Sequence, residues 1–187
     1  MTRLPFPMAF AALSALSALL SAACADVPAD GRIGITAPNG SEAAFGPVAA
    51  YLGERCGTLD CHGQRARNLQ IYSCEGLRLS QVDVPICSRN QGGKPTTPEE
   101  HQATYRSLVG LEPTVMSAVV VDHGEHPEWL TFVRKARGLE SHKGGVLITP
   151  GDDQDVCITS WLAGQTNLTA CAAAFGYPKF PAPPTTQ

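Results

Sequence analysis

Charged and aromatic residues are both scarce in this sequence, and each shortage narrows the possible functions. Charged residues make up 17% of the 187 residues and the net charge is −3, without a basic stripe or a long run of one charge. We therefore expect no nucleic-acid partner. Aromatic residues make up 6%, so we expect one core of Leu, Val, Ile and Ala rather than two domains.

The chain also lacks the short motifs of common enzyme classes. It has no phosphate-binding glycine loop, no G-x-S-x-G nucleophile elbow and no H-E-x-x-H metalloprotease helix. It has no C-x-x-C pair of the thioredoxin type either, which argues against an exchange-active thiol pair. Whether the protein is an enzyme stays open, and the pattern favours an electron carrier or a binding protein.

The N-terminus has the pattern of an export signal. Arg3 precedes an apolar run from Met8 to Leu20, and the small residues Ser21-Ala22-Ala23 follow. We predict that residues 1–23 form a signal peptide and that the mature protein is exported to an oxidising compartment. The apolar run is too short for a stable membrane span.

Cys24 lies where a lipoprotein signal places its lipidated cysteine. The residues before it, Leu20-Ser21-Ala22-Ala23, resemble a lipobox. We predict lipid attachment at Cys24, a flexible linker over residues 24–41, and anchoring in the periplasm or at the outer membrane. The alternative is ordinary cleavage before Asp26, which gives a secreted protein without lipid.

Two cysteines and a histidine in residues 55–63 indicate covalent haem attachment. Four residues separate Cys56 from Cys61, and His62 follows directly. Each thiol of such a pair adds across a haem vinyl group, and the imidazole binds the iron from one side. The usual motif is C-x-x-C-H, so this is a widened C-x₄-C-H form. We predict a haem c cofactor held by Cys56, Cys61 and His62.

Helix signals surround this motif. An N-cap at Ser41 and apolar residues at helical spacing predict a first helix that ends at Cys56 and is regular from Pro47. Thr97, Pro98 and Glu100 form a capping box for a helix that ends near Gly110. Residues 114–121 fit a helix or a buried strand, and a last helix runs from Asp152 to Gly164. Residues 176–187 form a proline-rich tail.

The seven cysteines are compatible with haem attachment but do not prove it. If Cys24 carries lipid and the C-x₄-C-H pair carries haem, four cysteines remain for two disulfides. Without haem, the last six cysteines make three disulfides. The disulfide candidates are Cys74, Cys87, Cys157 and Cys171, with Cys74 and Cys87 flanking one segment and Cys157 and Cys171 close in sequence.

These motifs together resemble class I cytochromes c and the planctomycete-type cytochrome c domains. The resemblance covers about residues 42–165 and depends on RCGTLDCHG, KARGLESHKGG and a D-x-C-x-x-x-W-L-x-G helix. It implies an all-α, cytochrome c-like domain over residues 42–175, mostly helical with long loops and stapled by disulfides. It also implies that Phe45 and Gly53 of the first helix meet Trp161 of the last.

The resemblance further implies electron transfer to redox partner proteins in the cell envelope and a second iron ligand. His142 lies before paired glycines, where the distal ligand loop of cytochromes c is found, and we rank it first. Met116 is the second candidate, because a thioether is a common partner to histidine. His123 and His126 rank lower. The alternative function is a haem-free, disulfide-stapled lipoprotein in which Cys56 and Cys61 form a disulfide.

Overall fold

The computed structural model describes residues 34–80 and 94–175. These residues form α-helices joined by long loops, with no β-strand among them, so the predicted all-α class is confirmed over the described part of the chain. No helix in this part is long and apolar enough to cross a membrane. The predicted signal peptide, Cys24, Cys87 and the proline-rich tail lie outside the described residues.

The first helix, α1, comprises Glu42–Cys56. The Ser41 hydroxyl accepts a hydrogen bond from the Ala44 amide, so the predicted N-cap is confirmed, and Gly57 follows the last turn. The expectation of a regular start at Pro47 is wrong, because the helix begins five residues earlier with Pro47 inside it. The loss of one backbone donor at Pro47 is tolerated because Phe45 and Val48 are completely buried on this helix.

The second and third helices, α2 (Pro98–Leu111) and α3 (Pro113–Val121), follow each other directly. Both hydrogen bonds of the predicted capping box between Thr97 and Glu100 are present. The helix continues through Gly110 and ends before Pro113, one residue beyond the expected end. The apolar segment that the sequence left undecided is helical, and it buries Met116 and Val119.

The C-terminal part contains a 3₁₀ turn, Pro127–Trp129, and three further helices. These are α4 (Thr131–Ala136), α5 (Asp153–Leu162) and α6 (Leu168–Phe175). Asp152 caps α5 as predicted, since its side chain accepts from the Asp155 amide. The sequence analysis did not predict α6. A disulfide joins Cys157 to Cys171, two of the four candidate cysteines, and so ties α6 to α5.

An aromatic cluster forms the contact between the first and last parts of the domain. The ring centroids of Phe45 and Trp161 lie 4.9 Å apart, and Tyr105 packs edge-on against Phe45. The expected contact of Phe45 with Trp161 is therefore present. Gly53 does not take part, because a Cβ at this position would face Ser73 instead. The cluster lies on one side of α1, and Cys56 lies at the end of the same helix.

Candidate haem site

A cavity of about 380 Å³ lies beside the C-terminal end of α1. Its wall comes from the end of α1, the loop of residues 57–71, the end of α2, α4, the segment that leads into α5, and α5 itself. The volume is in the range of known cofactor and ligand sites, and the wall is largely apolar. The apolar side chains that line it are Leu52, Ala66, Leu69, Ile71, Leu108, Leu111, Phe132, Ala136, Leu147, Ile148 and Ile158.

The backbone around His62 holds this residue at the edge of the cavity. The His62 amide donates to the Cys56 carbonyl at 2.9 Å, and the His62 carbonyl accepts from the Ile71 amide at 3.0 Å. The ring Nδ1 lies 3.1 Å from the Leu69 carbonyl oxygen. Because a carbonyl only accepts, Nδ1 carries the proton, and in the neutral ring the lone pair is on Nε2.

The protonation state of His62 also suits a metal ligand. Burial lowers the pKa of the His62 imidazole from its ordinary value, and this outweighs the opposite effect of the hydrogen bond to Leu69. His142 and Arg67 lower it further. The ring is therefore neutral near pH 7, and a neutral imidazole is the form that binds iron.

His142 lies on the loop between α4 and α5 and lines the same cavity. Its Nδ1 lies 3.1 Å from the carbonyl oxygen of Gly145, three residues further along the chain. The same reasoning as for His62 places the proton on Nδ1 and the lone pair of the neutral ring on Nε2. Metal-binding histidines typically make this kind of hydrogen bond from the nitrogen that does not bind the metal.

The two imidazoles have the spacing that one iron atom between them requires. Their ring centroids are 6.2 Å apart and their planes are 19° from parallel. A metal bound to an imidazole nitrogen at about 2.0–2.1 Å lies about 3.2 Å from that ring's centroid, so two opposed ligands have centroids about 6.4 Å apart. The separation of His62 and His142 and the apolar wall of the cavity therefore suit a haem that these two residues would hold.

Cys56 and Cys61 are free thiols next to His62, and both side chains are half-buried. Cys157 and Cys171 are paired and Cys74 is also disulfide-bonded, so these two are the thiols left in the described part of the chain. Cys56 lines the cavity. Burial raises the pKa of the Cys56 thiol to about 12, so this thiol is protonated at neutral pH and is a poor exchange nucleophile.

The other candidate ligands lie elsewhere. Met116 is completely buried in the core with Val119 and is not among the residues that line the cavity. His126 stacks on Trp129 at the surface, and His123 is exposed in the turn after α3. Among the described residues, no group of three or more His, Cys, Asp and Glu side chains could hold a metal ion. A haem iron needs only one or two protein ligands, so that finding does not bear on haem.

Polar side chains besides the histidines also line the cavity, among them Tyr51, Arg67 and Lys135. Tyr51 lines the cavity from α1 and is 2% exposed, and its position three residues after Val48 extends the buried stripe of that helix. Arg67 lines the cavity as well, and its Nε donates to the Cys61 carbonyl at 3.0 Å. Lys135 is the third, and no local sequence signal distinguishes it from a surface lysine.

No family model, no curated protein and no solved structure matches this chain. The function therefore has to be inferred from the site itself.

Proposed function

We propose that this protein is a c-type haem protein that transfers electrons. The observation that carries the proposal is the His62–His142 pair, in which both Nδ1 atoms contact carbonyl oxygens and the rings are 6.2 Å apart. The free thiols of Cys56 and Cys61 would form the two thioether links. Haem bound there supplies one-electron redox chemistry.

The residues of the site favour electron transfer over chemistry on a substrate. If His62 and His142 both hold the iron, no position on the iron would be left for a substrate. The hydrogen bonds to Leu69 and Gly145 orient the two rings and make them stronger electron donors. The apolar wall excludes water, which is one of the factors that set a reduction potential.

The haem-free alternative has less support at this site. That hypothesis needs Cys56 and Cys61 to be joined as a small disulfide loop, whereas both thiols are free. It also gives no reason for an apolar cavity with two parallel imidazoles at its edge. We also propose that the protein is exported, that a lipid is attached at Cys24, and that its partners are redox proteins of the cell envelope.

The test is a pyridine haemochrome spectrum after denaturation and acid–acetone extraction, on full-length protein made in an exporting host with haem-maturation enzymes. We expect haem to stay with the polypeptide in the parent and to be lost in the double variant Cys56→Ala/Cys61→Ala. Thr58→Ala lies between the two cysteines and leaves both thiols and His62 intact, so it should keep its haem. A colourless parent protein would refute the proposal.

A further inference from the structure

Gly144 and Gly145 follow His142 closely in the chain, and each contacts its side chain in a different way. A Cβ added to Gly144 would lie 2.9 Å from Cε1 of the His142 ring and 3.3 Å from its Nδ1. Contacts below about 3.0 Å are not tolerated between carbon atoms, whose optimal separation is about 3.5–4.0 Å. The absence of a side chain at position 144 is therefore what lets the imidazole occupy its observed place.

Gly145 contributes through its backbone conformation. Its φ is +73°, in the left-handed region that side chains other than glycine rarely adopt. In this conformation its carbonyl oxygen accepts the hydrogen bond from His142 Nδ1, and its amide donates to the His142 carbonyl at 3.0 Å. Position 145 therefore fixes both the backbone turn and the acceptor that selects the His142 tautomer.

We propose that Gly144 and Gly145 are positioning residues that hold the His142 imidazole in one orientation and one tautomer, opposite His62. Gly144 leaves room for the ring, and Gly145 supplies the acceptor for Nδ1. The role of the ring as an iron ligand rests on the proposed function. The orientation of the ring is a property of the polypeptide and can be tested separately.

The rest of the loop is fixed by contacts that these glycines do not make. The Leu147 amide donates to the Ala136 carbonyl at 2.8 Å, and Lys135 Nζ donates to the Ser141 carbonyl at 3.0 Å. Glu140 forms ion pairs with Arg134 and Lys135. Because both sides of the loop are attached to α4, a change at position 144 or 145 should displace the ring while the loop keeps its place.

The test uses Gly144→Ala and Gly145→Ala with one matched control for each. Gly110→Ala is the control for Gly144→Ala, since a Cβ there meets no atom within 4 Å. Gly151→Ala is the control for Gly145→Ala, since Gly151 has φ +86° and also has free space around it. Gly151→Ala therefore introduces a similar backbone strain at a position that does not contact His142.

The first readout is the exchange rate of the His142 Nδ1 proton, measured by NMR on the full-length protein as purified. If that protein contains haem, the haem is reduced before the measurement. We expect the proton to be protected in the parent and to exchange about tenfold faster or more in both glycine variants. In Gly145→Ala the reason is that alanine disfavours the left-handed conformation by that order. In Gly144→Ala the reason is that the new Cβ displaces the His142 ring. Both controls should exchange like the parent. Unchanged exchange in both variants overturns the proposal, as does an equal effect in the controls.

The second readout is the affinity for added imidazole, measured by absorption spectroscopy on haem-loaded protein. We expect Gly144→Ala and Gly145→Ala to bind imidazole about tenfold more tightly than the parent, because the competing His142 ring is no longer held in place. A parent that retains no haem would refute the proposed function alone. The proton-exchange measurement would still decide the role of the two glycines.

Discussion

His62 and His142 come from opposite halves of the sequence, and their rings lie 6.2 Å apart with planes 19° from parallel. Each ring directs its Nδ1 at a backbone carbonyl, His62 at Leu69 and His142 at Gly145, with both distances 3.1 Å. The backbone thus selects the same tautomer for both, with Nε2 available for a metal. This shared arrangement is the basis of the predictions about the site.

If the proposed haem is bound, replacing His142 by glycine should remove one of its two protein ligands. We expect haem-loaded His142→Gly to change from a six-coordinate to a five-coordinate spectrum and to regain the parent spectrum when imidazole is added. His126→Gly is the control, because that ring stacks on Trp129 at the surface and should leave the spectrum unchanged. A His142→Gly protein with the parent spectrum would show that another group binds the iron.

The stability of the haem-free chain should fall as the pH is lowered through the ordinary range of histidine. Burial lowers the pKa of His62 in the folded state, whereas the unfolded value is about 6.5. Between these two values the unfolded chain binds more protons, so acidification favours unfolding. We expect the free energy of unfolding, measured with urea, to decrease from about pH 7.5 to about pH 5.5.

The variant His62→Asn isolates this contribution. Asparagine can still donate to the Leu69 carbonyl but does not titrate, so we expect a smaller loss of stability on acidification than in the parent. His123→Asn is the control, because His123 is exposed and has a φ of 53°, which asparagine tolerates. If His62→Asn and the parent lose equal stability, titration of His62 does not contribute.

The thiol of Cys56 should be unreactive in folded haem-free protein. Its pKa is raised to about 12 by burial, so very little thiolate is present near neutral pH. In a Cys61→Ala background, we expect alkylation by iodoacetamide to be about 100-fold slower than for an ordinary thiol. The same protein in urea should react at the ordinary rate. Equal rates in the folded and unfolded protein would contradict the raised pKa.

Glu100 should be one of the most sensitive positions for stability outside the core. It is 3% exposed and lies 2.7 Å from the guanidinium of Arg78, which is 6% exposed. Glu100→Gln leaves this buried arginine without a charged partner, and we expect a loss of about 3–5 kcal/mol in the free energy of unfolding. The exposed neighbour Glu99 offers a matched control, since Glu99→Gln should leave the free energy of unfolding nearly unchanged. Urea unfolding of both variants checks this, and similar values for the two would contradict it.

Local signals were sufficient for the start of each capped helix. Ser41, Thr97 with Glu100, and Asp152 cap helices as expected, because an N-cap acts on an amide only two or three residues away. Pro47 shows the limit of such signals. A proline in a helical pattern usually marks a boundary, but the burial of Phe45 against Trp161 extends the helix past it.

Elements that depend on distant contacts could not be predicted in the same way. Helix α6 has no cap or periodic stripe strong enough to be recognised, and it packs against α5 and α1 with Cys171 bound to Cys157. The segment around Met116 is apolar throughout, so only its burial between other helices selects a helix. The ion pair of Glu100 with Arg78 could not be predicted either, because no local sequence pattern connects these two residues.

The sequence by itself determined the position of Cys56, Cys61 and His62 at the end of a helix, since all three are close neighbours in the chain. Only the tertiary structure decided what lies opposite His62. His142 and Met116 were both compatible with the sequence, and the fold buries Met116 in the core and brings His142 to the cavity. The physical reason is that a ligand pair joins distant segments, whose relative placement depends on the packing of the whole core rather than on any local pattern.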